Sequence, residues 1–525
     1  MEAEYEERFG NVNENRITKE EVKKALKNEE RESTGMDGIF VEMLQSGDIS
    51  MLKWLVRVMN VCWMEGRVPQ DWQDSCLVPI YKGKGDRAQC NNYRGISLLS
   101  VVGKVYGKVL IERVKMLTEE IISEEQGGFR KGRGCVDQVF TLRTLIEKHR
   151  EKKKDLFVCF MDLEKAYDKV SRSKLWEVLE EYDINGKLLK GIKYFYRNSR
   201  ACVRVNRNVS DYFNVDVGLR QGCVMSPWLF NVFMDSVIRR MDRVGKGAEV
   251  REQGGDNWDV SLLLFADDTV LVSDTGEGLE GLVTDFERIC TERGLKINPK
   301  KSKVMWLKNE RREDIDELME WPGVQLEGQW LERVHNFRYL GMDIGDEGDM
   351  NAEINHRIAE GMKGLGGLKE IWKRGSLTRE VKLRMFESIC IPAVLYGCET
   401  WMVNRMVRRK VCVFEMNGLR AICDLSRRDR VRNVRIREIC NWNKSLVTRV
   451  EQGVLKWFGH VNRMDDERLA RKLFVSEVVG ERGRGRPRWR WMDGVGDILR
   501  SKGLTVEEGL MMVYDRNDWR RLVYG

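Results

Sequence analysis

Two adjacent aspartates interrupt an apolar stretch near the middle of this 525-residue chain. Asp267 and Asp268 lie within LLLFADDTVLVSD, residues 262–274, between two runs that are typical of buried strands. Asp162 ends a third apolar run, in DLFVCFMDLEKAYDKV, residues 155–170. Carboxylates in apolar surroundings are costly unless they are paired or bind a metal. Hard oxygen ligands suit Mg²⁺, and two such ions can promote phosphoryl transfer.

A hairpin turn without any chemistry is the alternative interpretation of the Asp-Asp pair. Aspartate is a favoured turn residue, and Ala266, Asp267, Asp268 and Thr269 could simply connect the two strands. The remainder of the chain has to decide between a turn and a metal site.

Strand and helix patterns alternate along most of the sequence. Residues 77–86 predict a strand that runs into a Gly/Lys loop, and residues 202–217 predict a hairpin around an Asn-rich turn. FRYLGMDI, residues 337–344, predicts one more strand, and from residue 350 onward the pattern is mainly helical. We therefore expect an α+β sheet domain followed by helical parts.

Composition excludes several classes of protein. Hydrophobic residues make up 42% and charged residues 33% of the chain, which is typical of a soluble globular protein. The acidic start and the lack of any run of 18 apolar residues predict neither a signal peptide nor a membrane segment, so we expect the nucleus and cytoplasm. The thirteen cysteines contain no C-x-x-C pair and there are four histidines, so we expect buried thiols and no structural zinc.

Positive charge is concentrated in the C-terminal part. Residues 405–449 contain thirteen Lys or Arg against four Asp or Glu, and RGRGRPRWRW follows at residues 482–491. Basic residues interleaved with aromatics predict contact with a phosphate backbone and stacking on Trp489 and Trp491. The alternative is a solvated basic face beside two core tryptophans.

Seven segments carry a resemblance to a known family. In chain order they are NNYRGISLLS, EEQGGFRKGRG, FMDLEKAYD, GLRQGCVMSPWLFN, LLFADDTVL, GLKINPKKSK and FRYLGMDI, within residues 77–344. This ordered set resembles the reverse transcriptase of non-LTR (LINE-like) retrotransposons. WFGHVNRMDDERL and GRGRPRWRWMD resemble the C-terminal part of such element proteins. An endonuclease segment and a Cys/His knuckle, both common in the family, are missing from this sequence. We therefore expect either a piece of a longer reading frame or a polymerase that does not cut its own target.

The resemblance implies a right-handed polymerase fold with fingers, palm and thumb. The boundaries expected from it are an N-terminal helical extension at 1–70, fingers and palm at 71–345, a helical thumb at 346–430 and a basic C-terminal region at 431–525.

The resemblance also assigns the catalytic residues. Asp162 and Asp267 match the carboxylates that hold two Mg²⁺ ions, with Mn²⁺ as a substitute, and Asp268 matches a third that coordinates less directly. Lys301 falls in the motif whose lysine protonates the departing pyrophosphate, although Lys300 and Lys303 compete for that role.

Substrate contacts are implied for five further residues. Tyr167 matches the aromatic under the sugar of the incoming nucleotide, with core packing as its alternative. Arg94 and Arg130 match finger residues near the nucleotide and template. The alternative for each of them is a plain surface arginine. Gln221 and Gly222 match the segment over which nucleotide and template pass, and a plain turn is the alternative for Gly222.

The function that follows is an RNA-directed DNA polymerase, whose partners are an RNA template, a DNA or RNA primer and dNTPs. One rival is an inactive nucleic-acid-binding remnant of such an element. The other is an RNA-dependent RNA polymerase with the same palm, which Tyr167 disfavours because a ribonucleotide needs room for its 2′-OH.

Overall fold

A computed structural model gives the structure of the chain. It describes residues 11–27, 34–83, 85–252, 254–308, 321–348, 350–373, 377–480 and 489–525. Most of the arginine-rich run at 482–491 lies outside these residues, so the predicted phosphate contacts of that run stay a prediction.

Helices and strands alternate in the first two thirds of the chain, and helices dominate the last third. The helices are α1 (Lys19–Lys27), α2 (Val41–Gln45), α3 (Ile49–Glu65), α4 (Gln70–Gln73), α5 (Val101–Thr118), α6 (Cys135–Lys152), α7 (Ala166–Lys169), α8 (Arg172–Glu181), α9 (Gly186–Arg197), α10 (Ser226–Ile238), α11 (Gly276–Glu292), α12 (Asn351–Trp372), α13 (Arg379–Met385), α14 (Ile391–Leu395), α15 (Arg405–Ile422), α16 (Asn433–Ile439), α17 (Leu446–Asn462), α18 (Leu469–Val475), α19 (Trp491–Ser501), α20 (Val506–Met512) and α21 (Arg516–Tyr524). The strands are β1 (Asp74–Tyr81), β2 (Tyr93–Leu98), β3 (Leu156–Met161), β4 (Arg200–Val205), β5 (Asn208–Val209), β6 (Phe213–Asn214), β7 (Ala248–Arg251), β8 (Asn257–Val260), β9 (Leu262–Phe265), β10 (Asp268–Ser273), β11 (Lys303–Leu307), β12 (Gln325–Leu326), β13 (Gln329–Trp330), β14 (Glu332–Arg333), β15 (Asn336–Tyr339), β16 (Met342–Gly345) and β17 (Glu477–Val478). This arrangement confirms the predicted α+β class with a helical C-terminal part.

A five-stranded sheet in the order β14-β11-β3-β10-β9 carries all three predicted carboxylates. Its central strand β3 is buried at all six positions, as the apolar run predicts. β10 pairs antiparallel with β3, and Thr269 lies opposite Met161. Asp162 follows Met161 and Asp268 precedes Thr269, so this register brings both aspartates to the same edge of the sheet.

A second sheet has the order β2-β1-β4-β5 with β6 against β4, and β3 of the first sheet lies between β2 and β4 in the chain. The hairpin predicted within residues 202–217 is present, since Val205 pairs with Asn208 across a turn in which Asn206 has a φ of 56°. β2 pairs antiparallel with β1 along six residues and carries Arg94.

Residues 337–344 are not the single strand that their apolar pattern predicts. They form parts of β15 and β16, which pair antiparallel around Leu340 and Gly341. Both turn residues have a positive φ, 47° and 78°, as a tight two-residue hairpin turn requires. The pattern misled because leucine occupies a turn position that Asn or Gly usually takes. A hairpin is therefore the correct description of this segment.

One hydrophobic core extends through the helical part, from Met350 to Val523, and it includes Phe140 of α6. This core is continuous across the expected boundary at residues 430 and 431. Trp491 belongs to it: the side chain is 5% exposed, its ring centroid lies 4.9 Å from that of Phe140, and its Nε1 donates to the Glu399 carbonyl. The predicted stacking of bases on Trp491 is therefore wrong, because the ring is already packed. Trp489 is 41% exposed and stays a candidate.

Two further expectations concern thiols and membranes. Nine of the thirteen cysteines are buried and all are free thiols, which confirms that most of them act as small hydrophobic residues. No helix within the described ranges combines the length and hydropathy that a membrane span requires.

Candidate active site

Asp162 is fixed at the end of β3 by the segment that precedes β11. Its backbone amide donates to Ser302 Oγ over 3.1 Å, and its carbonyl accepts from the Asn298 amide over 2.8 Å. These bonds leave the Asp162 carboxylate to project from the sheet edge, where its side chain is 36% exposed.

The turn that carries Asp267 is strained, and a glutamine holds it. Ala266 has a φ of 59°, which is uncommon for a residue with a Cβ. Gln126 Oε1 accepts from the amides of Ala266 and Gly128, over 2.9 and 2.8 Å. A Cβ at position 128 would collide with the Ala266 amide nitrogen, so the close approach of the two segments requires a glycine there. Local strain held by surrounding bonds is a feature of functional sites.

Burial and neighbouring carboxylates raise the pKa of Asp267 and of Asp268. Burial raises the pKa of Asp267, and the charge of Asp162 adds to the effect, whereas Arg94 and Lys301 oppose it. Partial burial raises the pKa of Asp268 to about 6, and the charges of Asp267 and Asp162 add to the shift, although the residue keeps contact with solvent. Like charges placed this close call for a cation, which would favour the ionised forms.

The donor set fits a divalent ion that keeps open positions. Carboxylate oxygens are hard ligands, and Mg²⁺ usually binds one or two of them and completes its octahedron with water and substrate phosphates. Among the described residues, no three His, Cys, Asp or Glu side chains converge on one point as a closed metal cage would require. The carboxylate oxygens of Asp162 and Asp267 are ligands of the type that such an ion prefers.

Lys301 is the one of three competing lysines that the structure brings to a carboxylate of the cluster. Its Nζ lies 3.2 Å from Asp162 Oδ2. Lys303 Nζ is instead held by Glu332 at 2.7 Å and by the Lys300 carbonyl. The geometry therefore favours Lys301 for the role of proton donor.

The two predicted arginines differ completely in their surroundings. Arg94 on β2 is exposed, and its charge acts on Asp267. Arg130 is 6% exposed, and its guanidinium donates to carbonyls of Glu119, Ile122, Ser123 and Gln126 and to the Glu119 carboxylate. The direct nucleotide contact expected of Arg130 conflicts with this structure, because its donors are engaged inside the loop. The alternative, that Arg130 is a plain surface arginine, is also wrong because the side chain is buried.

Tyr167 lies between the core and the carboxylates. Its ring stacks on Phe230 with centroids 4.4 Å apart, and Phe129 meets it edge-on at 6.5 Å. Its hydroxyl is buried and has no hydrogen-bond partner among the described residues. Burial raises the pKa of Tyr167, and the nearby charge of Asp267 adds to that shift.

Gln221 and Gly222 lie in the loop before α10, against β2. The Gln221 carbonyl accepts from the Ser97 amide over 2.8 Å, and its side-chain amide donates to Asp168 over 3.2 Å. Gly222 has a φ of 103°, and a Cβ there would lie 2.7 Å from the Ser97 carbonyl oxygen. Close backbone approach therefore requires this glycine, whichever ligand passes over it.

Three residues that position the site escaped the sequence argument. They are Gln126, which holds the Ala266 turn, Ser302, which fixes Asp162, and Phe230, on which Tyr167 stacks. All three lie within motifs that carry the family resemblance, and their place in EEQGGFRKGRG, GLKINPKKSK and GLRQGCVMSPWLFN is the signal that could have identified them.

The family comparison covers just over half of the chain. The model of the family described as reverse transcriptase (RNA-dependent DNA polymerase) matches residues 80–344. This range includes every residue singled out above for catalysis or substrate binding.

Proteins of transposable elements are similar in sequence to this chain. A retrovirus-related Pol polyprotein from type-1 retrotransposable element R2 of Nasonia vitripennis is 27% identical over 62% of this chain and 31% of its own length. An RNA-directed DNA polymerase from mobile element jockey of Drosophila melanogaster is 23% identical over 90% of this chain and 51% of its own. The chain thus spans about a third to a half of these relatives. Apo telomerase from Candida Tropicalis is a similar solved structure, with 11% identity, a TM-score of 0.40, and coverage of 91% of this chain and 74% of that one.

Proposed function

Because the chain belongs to the reverse transcriptase (RNA-dependent DNA polymerase) family, we propose that it is the RNA-directed DNA polymerase of a non-LTR retrotransposon. It extends a DNA or RNA primer along an RNA template. The primer 3′-OH attacks the α-phosphate of a dNTP, a new phosphodiester bond forms, and pyrophosphate leaves. One observation carries this proposal: Asp162, Asp267 and Asp268 lie at the same edge of the sheet, with Lys301 and Arg94 nearby.

Asp162 and Asp267 would hold two Mg²⁺ ions, or Mn²⁺ in their place, with Asp268 assisting. Such ions, when bound, favour the ionised primer hydroxyl and offset the charge on the departing phosphates. Divalent metal use is general in this family; the number and identity of the ions are part of the proposal.

The chain's own residues orient the substrates. Arg94 is placed to bind the triphosphate, since an exposed guanidinium makes bidentate bonds to phosphate. Tyr167 lies under the sugar and excludes a 2′-OH, and Gln221 and Gly222 present a backbone surface over which the base pair can pass. Lys301 gives its proton to the leaving pyrophosphate. Catalysis here is mainly positioning and charge stabilisation.

The expected division of the chain belongs to the same proposal. Fingers and palm occupy 71–345, after an N-terminal extension at 1–70. The thumb at 346–430 and the basic region at 431–525 share one core, so we propose that they move as a unit on the nucleic acid. The protein would act in the nucleus and cytoplasm, where its RNA and primer are found.

Primer extension tests the function directly. Purified protein, Mg²⁺ and dTTP on poly(rA)/oligo(dT) are expected to give labelled products that lengthen with time and vanish with EDTA. Replacing dTTP by UTP distinguishes this function from that of an RNA-dependent RNA polymerase, which would extend the primer equally well with UTP. A folded protein that binds the template-primer but extends nothing with Mg²⁺ or Mn²⁺ would establish the inactive remnant instead.

A further inference from the structure

A basic cavity lies outside the candidate active site, between helices α17 and α21 and the loop that precedes α6. Its volume is about 560 Å³. The walls come from the segment WFGHVNRMDDERL, residues 457–469, from α21, and from Gly132 of the loop. The sequence resemblance singled out this segment, and nothing in the proposed polymerase mechanism uses it.

Helical spacing explains why the cavity is cationic. Lys456, His460 and Arg463 recur at intervals of four and three residues, so α17 presents them on one face. Arg516 and Arg520 recur at an interval of four on α21. The two faces therefore point into the same space.

A glycine lets the two helices approach each other closely. A Cβ at Gly459 would collide with the indole of Trp519, which is 3% exposed. The indole thus fills the place of a side chain on α17 and forms the floor of the cavity. Glycine in the middle of a helix is unfavourable relative to alanine, so this position is explained by packing.

The positive charges are poorly compensated. Five Lys or Arg side chains line the cavity, against one carboxylate, that of Asp465. Arg468 is paired with Asp137 at 2.6 Å, and Arg463 donates to the Val513 carbonyl. Lys456, Arg516 and Arg520, by contrast, have no carboxylate partner in the part of the chain that the structure describes.

The positive charges in the cavity also repel one another. The nearby charge of Arg516 adds to burial in lowering the pKa of Arg463. Burial also lowers the pKa of His460, and the charges of Arg468, Arg463 and Lys456 act in the same direction. An anion that enters the cavity would offset this repulsion.

We propose that this cavity binds one nucleotide unit of a single-stranded nucleic acid, with its phosphate between Arg516, Arg520 and Lys456 and its base against Tyr524. The volume falls in the range of about 300–1,000 Å³ that is usual for small-ligand sites. Tyr524 lines the cavity and is 45% exposed, so its ring is free to stack, as single-strand binders require. Arginine pairs suit phosphate because their planar forks bond bidentately.

The cavity is linked to the catalytic turn through one loop. Arg468 donates to the Gly132 carbonyl at one end of the loop, and Gln126 at its other end holds Ala266. A strand bound in the cavity would therefore lie across this loop from Asp267. The inference rests on the proposed function only for the identity of the ligand as nucleic acid.

Binding to short single strands tests the inference without catalysis. The full chain is titrated, without dNTP, against fluorescein-labelled ten-nucleotide RNA and DNA probes, and anisotropy is recorded at several salt concentrations. The double variant Arg516→Ala/Arg520→Ala is expected to bind at least tenfold more weakly. Its slope of log K against log salt should fall by about 1.4, from about 0.7 for each lost single-strand contact. Arg521→Ala is the matched control: it lies on α21, pairs with Asp518 at 3.1 Å, does not line the cavity, and should bind like wild type.

Two outcomes overturn the proposal, and three further points keep the test decisive. An unchanged affinity and slope in the folded double variant would exclude the cavity from binding. Equal thermal protection by inorganic phosphate and by the probes would reduce it to a simple anion site. RNA and DNA arms that differ by more than tenfold would identify which strand it takes. Should the alanine variant misfold, Arg516→Gln/Arg520→Gln removes the same charges while it keeps the side-chain length. Wild type that binds through the cavity yet never extends a primer contradicts the polymerase function and leaves this inference standing.

Discussion

Lys301 Nζ lies 3.2 Å from Oδ2 of Asp162, so the residue proposed to donate a proton is bonded to a residue proposed to hold a metal. The lysine is 67% exposed and free to move. A cation at Asp162 would compete for that carboxylate and release the ammonium group toward the departing phosphate. If the proposed roles hold, the ion pair would couple occupation of the metal site to the position of the acid.

Replacement of Lys301 by methionine tests this coupling. We expect Lys301→Met to lower kcat by about 100-fold, at the lower end of what a general acid contributes. KM for dTTP should change little, because the lysine acts on the leaving group. Lys300→Met should stay within about twofold of wild type, since no contact ties its ammonium group to the carboxylates. Equal losses in the two variants would show a general effect of positive charge instead.

The carboxylates should be separable from template binding. Asp162→Ala or Asp267→Ala is expected to reduce primer extension by at least about 10³-fold, because charge stabilisation at the reacting phosphate is lost. Anisotropy with a labelled template-primer should change less than about twofold. Asp268→Ala should retain some activity, and Asp211→Ala, an exposed loop residue, serves as the control. Full activity in either of the first two variants rules out the metal assignment.

Arg130 is expected to affect stability more than nucleotide binding. Its buried guanidinium bonds to four backbone carbonyls, so Arg130→Ala leaves several acceptors unpaired. A loss of about 2–4 kcal/mol in the free energy of unfolding follows, measured by urea denaturation. Lys131→Ala, an exposed neighbour, should cost little. A stable Arg130→Ala protein with a raised KM for dTTP would restore the direct contact that the sequence suggested.

Local patterns predicted much of the sheet that carries the carboxylates because its strands are short and apolar. β3 and the β9–β10 turn follow directly from runs of buried residues, and the two ends carry Asp162 and Asp267. Arg130 and Trp491 were misjudged because charge and aromaticity do not reveal which way a side chain points. Phe140, which packs on Trp491, lies far away in the sequence, and the acceptors of Arg130 are backbone carbonyls that converge only when the loop before it folds. Tertiary contacts of this kind have no signal in a single sequence.

Glu147 gives the helical part a pH-dependent stability. Burial raises its pKa to about 7, although it accepts from the Trp491 amide over 2.8 Å. The native state binds more protons than the unfolded state between pH 4.5 and 7, so the free energy of unfolding falls as pH rises through that window. Glu147→Gln keeps the acceptor and removes the titration. The decrease in the free energy of unfolding is at most about 3 kcal/mol. Urea denaturation at pH 5 and at pH 7.5 should show a smaller decrease in this variant than in wild type. An equal decrease in both proteins would assign the pH dependence to other groups.

Substitutions of Tyr167 test the proposed selection of deoxyribonucleotides over ribonucleotides. Its ring is held by Phe230, and its buried hydroxyl has no partner among the described residues, so bulk rather than hydrogen bonding is what it can offer. Tyr167→Phe should therefore keep the preference for dTTP over UTP and should fold at least as well. Tyr167→Ala should admit UTP. A preference of about two orders of magnitude corresponds to roughly 2.7 kcal/mol between the two transition states.

The ratio of kcat/KM for dTTP over that for UTP is the measurement for Tyr167, made on wild type and both variants. Loss of the ratio in Tyr167→Ala, with the dTTP value nearly kept, separates steric exclusion from general damage to the site. The Phe230 contact allows a further control, because Phe230→Leu loosens the support of the ring without removing it. This variant should show an intermediate ratio. If the ratio stays unchanged in a folded, active Tyr167→Ala protein, Tyr167 is a core-packing residue, and an RNA polymerase with the same palm becomes the better description.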